Sequence, residues 1–138
     1  MKNKKARSFV VIMIVIALSA LLLRVVADKA ISLTCSQNES NAQSTLKLIS
    51  TALENYAKDN RGIYPDKVSV LTEGIPAYLD RDYVRESPIK GYGYSCSRLD
   101  SGGYSCHALP TRCKLTGKTV FTVTTGSLLI SEDCDKKE

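Results

Sequence analysis

A long apolar run begins at Phe9. Between Phe9 and Leu23 only Ser19 is polar, and three more apolar residues follow Arg24. In hydrocarbon a helix satisfies every backbone N–H and C=O within the segment, and a span needs about 17–25 apolar residues. The pattern therefore predicts a transmembrane helix over residues 9–27, with the guanidinium of Arg24 reaching the far interface along its apolar stem.

A second helical pattern follows a polar stretch that is rich in small residues. Ser36 and Glu39 have the spacing of a capping box, which is typical of a helix start, so residues 28–41 are a candidate interruption. From Asn41 to Asp59 apolar residues recur every three or four positions, which predicts one apolar stripe packed on its own domain. This stripe consists of Leu46, Ile49, Leu53 and Tyr56. The helix should end at Asn60-Arg61-Gly62, ahead of Pro65.

The pattern changes to a period of two near the C-terminus. Residues 66–90 predict a loop with one short helical turn. After it, Tyr92, Tyr94 and Cys96 share one face of a strand, and Tyr104, Cys106 and Ala108 share one face of the next, with the turn at 97–103. A second hairpin is predicted from 119–124 and 127–131, with Thr125-Gly126 in its turn. The predicted fold class is α+β: a long N-terminal helix packed on a small antiparallel sheet.

The charge is concentrated at the start of the chain. The net charge is +5, yet the first 27 residues hold five basic residues and no acidic ones, which leaves 14 basic and 14 acidic residues in 28–138. A basic flank marks the cytoplasmic side of a span. The rest of the chain is formally neutral, which disfavours an electrostatic funnel for nucleic acid. DNA stacking on Tyr92, Tyr94 or Tyr104, beside Arg98 and Arg112, is therefore a minor alternative to their packing in the core.

Five cysteines indicate disulfides in an exported domain. Matching face parity favours Cys96–Cys106 across the first hairpin, and Cys113–Cys134 would tie the last hairpin back. Cys35 is then the odd one, either a free thiol near the membrane or half of an intermolecular bridge. Other connectivities stay open at this stage.

Metal and catalytic chemistry have little support in the sequence. There is no Cys-x-x-Cys motif, and His107 is the only histidine, so zinc is disfavoured. His107 directly follows Cys106 in a strand, so the two side chains point to opposite faces, and His107 is expected to be an exposed strand residue. The acidic residues Glu132, Asp133 and Asp135 are expected to be a solvated terminus rather than a calcium site. No catalytic residue, cofactor or metal is predicted, and the protein is not expected to be an enzyme.

One stretch resembles the type IV pilins and type II secretion pseudopilins. Residues 46–65, which read LKLISTALENYAKDNRGIYP, are similar to the end of the long helix in that superfamily. A basic leader ending at Ser8, before a Phe9 that opens the apolar helix, resembles a prepilin leader. The run PIKGYGY at 88–94 lies where pseudopilins enter their first strand. The resemblance implies a leader at 1–8, a membrane helix at 9–27 and an extracytoplasmic pilin-like domain at 28–138, anchored once in the bacterial cytoplasmic membrane.

The resemblance also implies partners and a processing site. A prepilin peptidase would cut between Ser8 and Phe9, although family leaders usually end in glycine. Other pilin or pseudopilin subunits would contact the helix in a filament. Met13 stands where the family usually has a glutamate, which implies a minor subunit or one that does not polymerise. The residues expected to make filament helix contacts are Phe9, Met13, Leu46, Ile49, Leu53 and Tyr56.

A second interpretation belongs to another functional class. Val25-Val26-Ala27 ends in a small residue, as a signal-peptidase site does. A cut there would release residues 28–138 as a secreted, disulfide-bonded binding domain that never enters a filament; without the cut, the same domain would stay anchored.

Overall fold

The computed structural model describes residues 3–136, with side chains described from residue 8 onward. It confirms the predicted α+β class. The helices are α1 (Asn3–Asp59) and α2 (Val70–Glu73), the strands are β1 (Tyr92–Asp100), β2 (Gly103–Pro110), β3 (Thr119–Thr124) and β4 (Leu128–Asp133), and a 3-10 turn follows at Cys134–Lys136. The chain divides into two compact units between Leu33 and Thr34.

The first unit contains the apolar part of α1. Every side chain from residue 8 to residue 33 is exposed, including aliphatic ones such as Leu18 and Leu23. A helix that is apolar all round is a membrane span or a core helix, and no described part of this unit covers these side chains. Of the predicted basic leader, Lys2 and the side chains of Lys4, Lys5 and Arg7 lie outside the described residues.

Helix α1 continues through residues 28–41, so the predicted interruption is wrong. Ser36 and Glu39 do not form a capping box, because a residue inside a helix has no unpaired N–H to cap. Instead, Glu39 Oε1 accepts the N–H of Lys118 at 2.6 Å. The sequence carries a signal for this continuity, since its first glycine is Gly62 and its first proline is Pro65.

In the second unit, residues 34–59 of α1 bury one stripe against the sheet. The four strands form an antiparallel meander in the order β1-β2-β3-β4. Each fully buried aliphatic side chain contributes about 1.5–3 kcal/mol to such a core. The helix supplies Ala42, Leu46, Ile49, Ala52 and Leu53, the strands supply Tyr92, Tyr94, Tyr104, Cys106, Ala108, Phe121 and Val123, and the segment between them supplies Val68, Leu71, Leu79 and Tyr83.

The end of α1 follows the sequence prediction. The helix ends at Asp59, and the next residues turn with positive φ, 58° at Arg61 and 83° at Gly62. The N–H of Gly62 donates to the carbonyl of Ala57 at 2.7 Å, which satisfies one of the last helix carbonyls. Glycine adopts this left-handed conformation without a steric penalty. The predicted helical turn in the following loop is α2.

The first hairpin is longer than predicted. The turn consists of Ser101 and Gly102 alone, because Asp100 pairs with Gly103. The carboxylate of Asp100 accepts the N–H of Gly102 at 2.9 Å, which fixes the turn. Strand β1 reaches this turn by accommodating one additional residue, Ser97, in a bulge. The second hairpin turns at residues 125–127, with φ of 83° at Gly126.

Candidate functional site

The exposed apolar segment is the first candidate site. Within the described residues, one helix is long and apolar enough to cross a membrane. Phe9 and Met13 are 65% and 55% exposed, so both present their side chains at the surface of this unit. Ser8, the other half of the predicted cleavage site, lies in α1 directly before Phe9 and is also exposed. This arrangement is compatible with single-pass membrane anchoring.

Three of the predicted filament contacts are corrected by the structure. Leu46, Ile49 and Leu53 are each 0% exposed, because they form the core between α1 and its own sheet. They therefore have no surface to offer a neighbouring subunit. Tyr56 is half-buried and its ring packs edge-on against Tyr78, with 5.6 Å between centroids. The exposed face of this part of α1 includes Ser44, Lys47, Leu48, Thr51, Asn55 and Lys58.

Residues 35–39 of α1 bind the segment that leads into β3. The thiol of Cys35 donates to the carbonyl of Leu115 at 3.2 Å, and the Asn38 amide donates to the carbonyl of Thr116 at 2.9 Å. Cys35 is a free cysteine and is only 2% exposed. The lack of a Cβ at Gly117 leaves room for the buried hydroxyl of Tyr92. This end of the domain is thus held by short polar contacts between distant parts of the chain.

The carboxylate of Glu54, near the C-terminal end of α1, joins the helix to both hairpins. Glu54 accepts hydrogen bonds from the hydroxyl of Tyr104 at 2.8 Å and the hydroxyl of Tyr64 at 2.9 Å. It also accepts the N–H of Gly126 at 2.7 Å, in the turn between β3 and β4. Burial raises the pKa of Glu54, but these hydrogen bonds together outweigh burial and hold that pKa below its usual range. Burial and the neighbouring Glu54 raise the pKa of Tyr64 to about 12.

Two disulfides join the pairs that the sequence favoured. Cys96 is bonded to Cys106, its direct partner across β1 and β2. Cys113 is bonded to Cys134, with 5.9 Å between their Cα atoms. The first bridge lies inside the sheet, whereas the second attaches the segment before β3 to the 3-10 turn after β4.

Two of the C-terminal acidic residues, Asp133 and Asp135, have partners within the protein. A carboxylate oxygen of Asp135 lies within 4.8 Å of the sulfur atoms of Cys113 and Cys134. These sulfurs are bonded to each other, so neither is a thiolate that could ligate a metal. Asp135 also forms an ion pair with Lys114, and the carboxylate of Asp133 accepts the N–H of Asp135 at 3.2 Å.

The tyrosines considered for DNA stacking are core residues. Tyr92, Tyr94 and Tyr104 are 0%, 5% and 1% exposed, so none presents a ring face to a base. His107 lies on the opposite face of β2 from Cys106, as strand geometry requires. The expectation that it is exposed is wrong, because it is half-buried and both ring nitrogens have hydrogen-bond partners.

Sequence reasoning missed the polar contacts that fix α1 on the sheet. Asn38 and Glu39 contact residues 78 and 79 positions away, and Glu54 contacts Gly126 at a separation of 72. For Glu54 the sequence carries no signal, because this residue lies off the apolar stripe of α1 together with Lys47 and Lys58.

Comparisons with protein-family models, with curated proteins and with solved structures each find no match to this chain. The architecture itself, a long N-terminal apolar helix and a small antiparallel sheet with two disulfides, is compatible with a pilin-like fold.

Proposed function

We propose that this protein is a structural subunit of a pilus- or pseudopilus-type filament, and that it is a minor subunit held in the bacterial cytoplasmic membrane before assembly. One observation carries the proposal: α1 contains an apolar segment whose side chains are all exposed, and then a stripe that is buried on a four-stranded meander. The exposed segment has the composition that a bilayer or a bundle of like helices would cover.

The burial of the helix residues narrows the set of residues that could contact a neighbouring subunit. Neighbouring subunits would pack through the exposed apolar segment that includes Phe9 and Met13, while Leu46, Ile49 and Leu53 hold the domain together. Leu48 is 55% exposed on the outward face of α1 and becomes the candidate contact within the domain. Substitution of Leu48 by serine should therefore reduce incorporation into filaments without unfolding the domain, whereas Leu53→Ala should unfold it.

The processing site provides the direct test. Ser8→Arg places a large charged residue where a prepilin peptidase would need a small one, so the full-length chain should accumulate uncut in the membrane. Ala27→Arg is the matched control, because it should block only a signal peptidase. Mass spectrometry of the membrane fraction reads both outcomes. If the Ser8→Arg chain is still cleaved and the Ala27→Arg chain is not, the filament proposal is wrong and the protein is a secreted binding domain.

Met13 favours a minor or tip position over a major subunit. A carboxylate in the bilayer is costly unless it is paired, and in the superfamily that this chain resembles, the glutamate at this place is thought to pair with the amino terminus of a neighbouring subunit. A methionine cannot form that pair. Met13→Glu should increase incorporation into a filament of like subunits if the lost carboxylate limits assembly. Unchanged incorporation would assign the wild-type chain to a tip or to an anchored domain that does not polymerise.

A further inference from the structure

Three side chains from three strands form a hydrogen-bonded chain on the outer face of the sheet, opposite α1. The Oγ of Ser97 in β1 lies 2.7 Å from Nε2 of His107 in β2. The Nδ1 of the same ring lies 2.9 Å from Oγ1 of Thr122 in β3. Neither the membrane helix nor the docking of α1 on the sheet uses these residues.

The bulge in β1 places Ser97 against the imidazole. Cys96 pairs with Cys106 and Arg98 pairs with Ser105, so Ser97 is the additional residue. A bulge re-aims the side chain that it carries. The direct cross-strand partner of His107 is Ser95, and yet the hydroxyl within 2.7 Å of Nε2 is that of Ser97.

The geometry matches an activated hydroxyl. When the imidazole carries its proton on Nδ1, it donates to Thr122 Oγ1, and its Nε2 lone pair accepts a hydrogen bond from the hydroxyl of Ser97 at 2.7 Å, which lies closer than the hydroxyl of Ser105 at 3.5 Å. The nucleophile and the third group, which orients the base, then each lie within hydrogen-bond reach of the imidazole. The competing acceptor for the Ser97 proton, the carbonyl of Ser105, lies farther away at 3.3 Å. O–H···O bonds prefer separations of about 2.7–2.8 Å, so the bond to this carbonyl is long and the imidazole is the favoured acceptor.

We propose that Ser97 is a covalent acylation site, whose hydroxyl attacks small activated esters or thioesters with His107 as its base. A bond forms between Ser97 Oγ and the acyl carbon, while the bond from that carbon to the leaving oxygen or sulfur breaks. The proton of Ser97 passes to Nε2 and then to the leaving group, which departs as an alcohol or a thiol. Thr122 is a positioning residue that holds the ring. Because Ser97 is exposed, a donor in solution reaches it directly.

The test uses the full-length chain in detergent with p-nitrophenyl acetate as the activated ester. Nitrophenolate release gives the rate, and peptide mass spectrometry locates the acetyl group. Ser97 should be acetylated at least about 10-fold faster than Ser101, an exposed serine in the adjacent turn, since a positioned base contributes about 10²–10⁴-fold to proton-transfer steps. The rate should rise with pH to a plateau, as expected when a base must lose its proton.

Variants separate reactivity from folding. Ser97→Ala should remove the rapid acetylation, and His107→Gln should slow acetylation of Ser97 at least about 10-fold and abolish the plateau in the pH profile. Thr122→Val should lower the acetylation rate and shift the pH at which that rate reaches its plateau. The Cys96–Cys106 disulfide should still form in this variant, which would show that the sheet is folded. Ser101→Ala is the control and should leave the acetylation of Ser97 unchanged. Equal rates at Ser97 and Ser101 in the wild-type chain, or an unchanged rate in His107→Gln, would overturn the proposal.

Discussion

The carboxylate of Glu54, in α1, lies 2.8 Å from the hydroxyl of Tyr104, in β2, although the two residues are 50 positions apart in the chain. The same hydroxyl accepts the N–H of Ser127 at 3.2 Å, in the turn after β3. One carboxylate and one phenol thus connect the helix with both hairpins. Strand β2 and the turn between β3 and β4 are held to α1 through these two groups as well as through the apolar core.

Removal of Glu54 should destabilise the domain. Glu54→Ala leaves the hydroxyls of Tyr64 and Tyr104 and the N–H of Gly126 without their acceptor, and hydrogen bonds to charged groups contribute about 1.5–3 kcal/mol each in other proteins. We expect a total loss of about 2–4 kcal/mol because water replaces part of the network, read from thermal unfolding followed by circular dichroism. The control is Glu86→Ala, whose exposed pair with Arg81 at 3.7 Å contributes little. Equal midpoints for the two variants would contradict the role of Glu54.

Glu54 should also make the stability of the domain depend on pH. The folded pKa of Glu54 is lowered from its ordinary value of 4.5, so its contribution is present above pH 4.5 and is lost as the pH falls through the folded value. The wild-type unfolding midpoint should therefore approach that of Glu54→Ala as the solution is acidified below that value. A difference between the two proteins that stays constant down to strongly acidic pH would show that Glu54 does not titrate in this network.

Cys35 should be protected in the folded protein. Its thiol is 2% exposed and donates to the carbonyl of Leu115, so it is shielded from reagents and from other copies of the chain. A maleimide should label the native chain slowly and label one thiol per chain after denaturation without reductant. Rapid native labelling, or a disulfide-linked dimer on a non-reducing gel, would restore the intermolecular bridge that the sequence left open.

The two disulfides should differ modestly in their effect on stability. In the chain-entropy model, a disulfide that closes a loop of this size stabilises the folded state by about 3 kcal/mol, and the larger loop gives the larger stabilisation. The Cys113–Cys134 loop has a sequence separation of 21 and the Cys96–Cys106 loop one of 10. Replacement of each pair by serine should lower the unfolding free energy, more so for the 113–134 pair. Denaturant titration of both double variants provides the comparison, and a neutral effect in either would contradict a stabilising bridge.

Local patterns predicted the elements of this fold well. The spacing of Leu46, Ile49 and Leu53 identified the buried stripe, and the alternation around Phe121 gave the bounds of β3. The continuity of α1 was missed because polarity at 28–41 was given more weight than the absence of glycine and proline there. Strand alternation specifies which face a residue occupies but not an additional residue in the register, so the bulge at Ser97 was unforeseen.

The polar contacts lay beyond sequence reasoning for a different reason. Glu39 and Glu54 have ordinary positions on a helix, and their acceptor roles depend on turns that the chain brings close only after folding. Patterns with periods of two or 3.6 report burial, which is local in sequence, whereas these hydrogen bonds join residues more than 70 positions apart.

The central claim is that this chain is processed and assembled as a filament subunit, and the N-terminal residue of the mature protein tests it most directly. The protein should be isolated from its native membrane fraction and its intact mass and first residue determined. The account predicts a chain that begins at Phe9. A chain that begins at Asp28 would contradict it and identify a released disulfide-bonded domain, and an uncut chain that begins at Met1 would contradict the processing step and leave a membrane-anchored domain outside any filament.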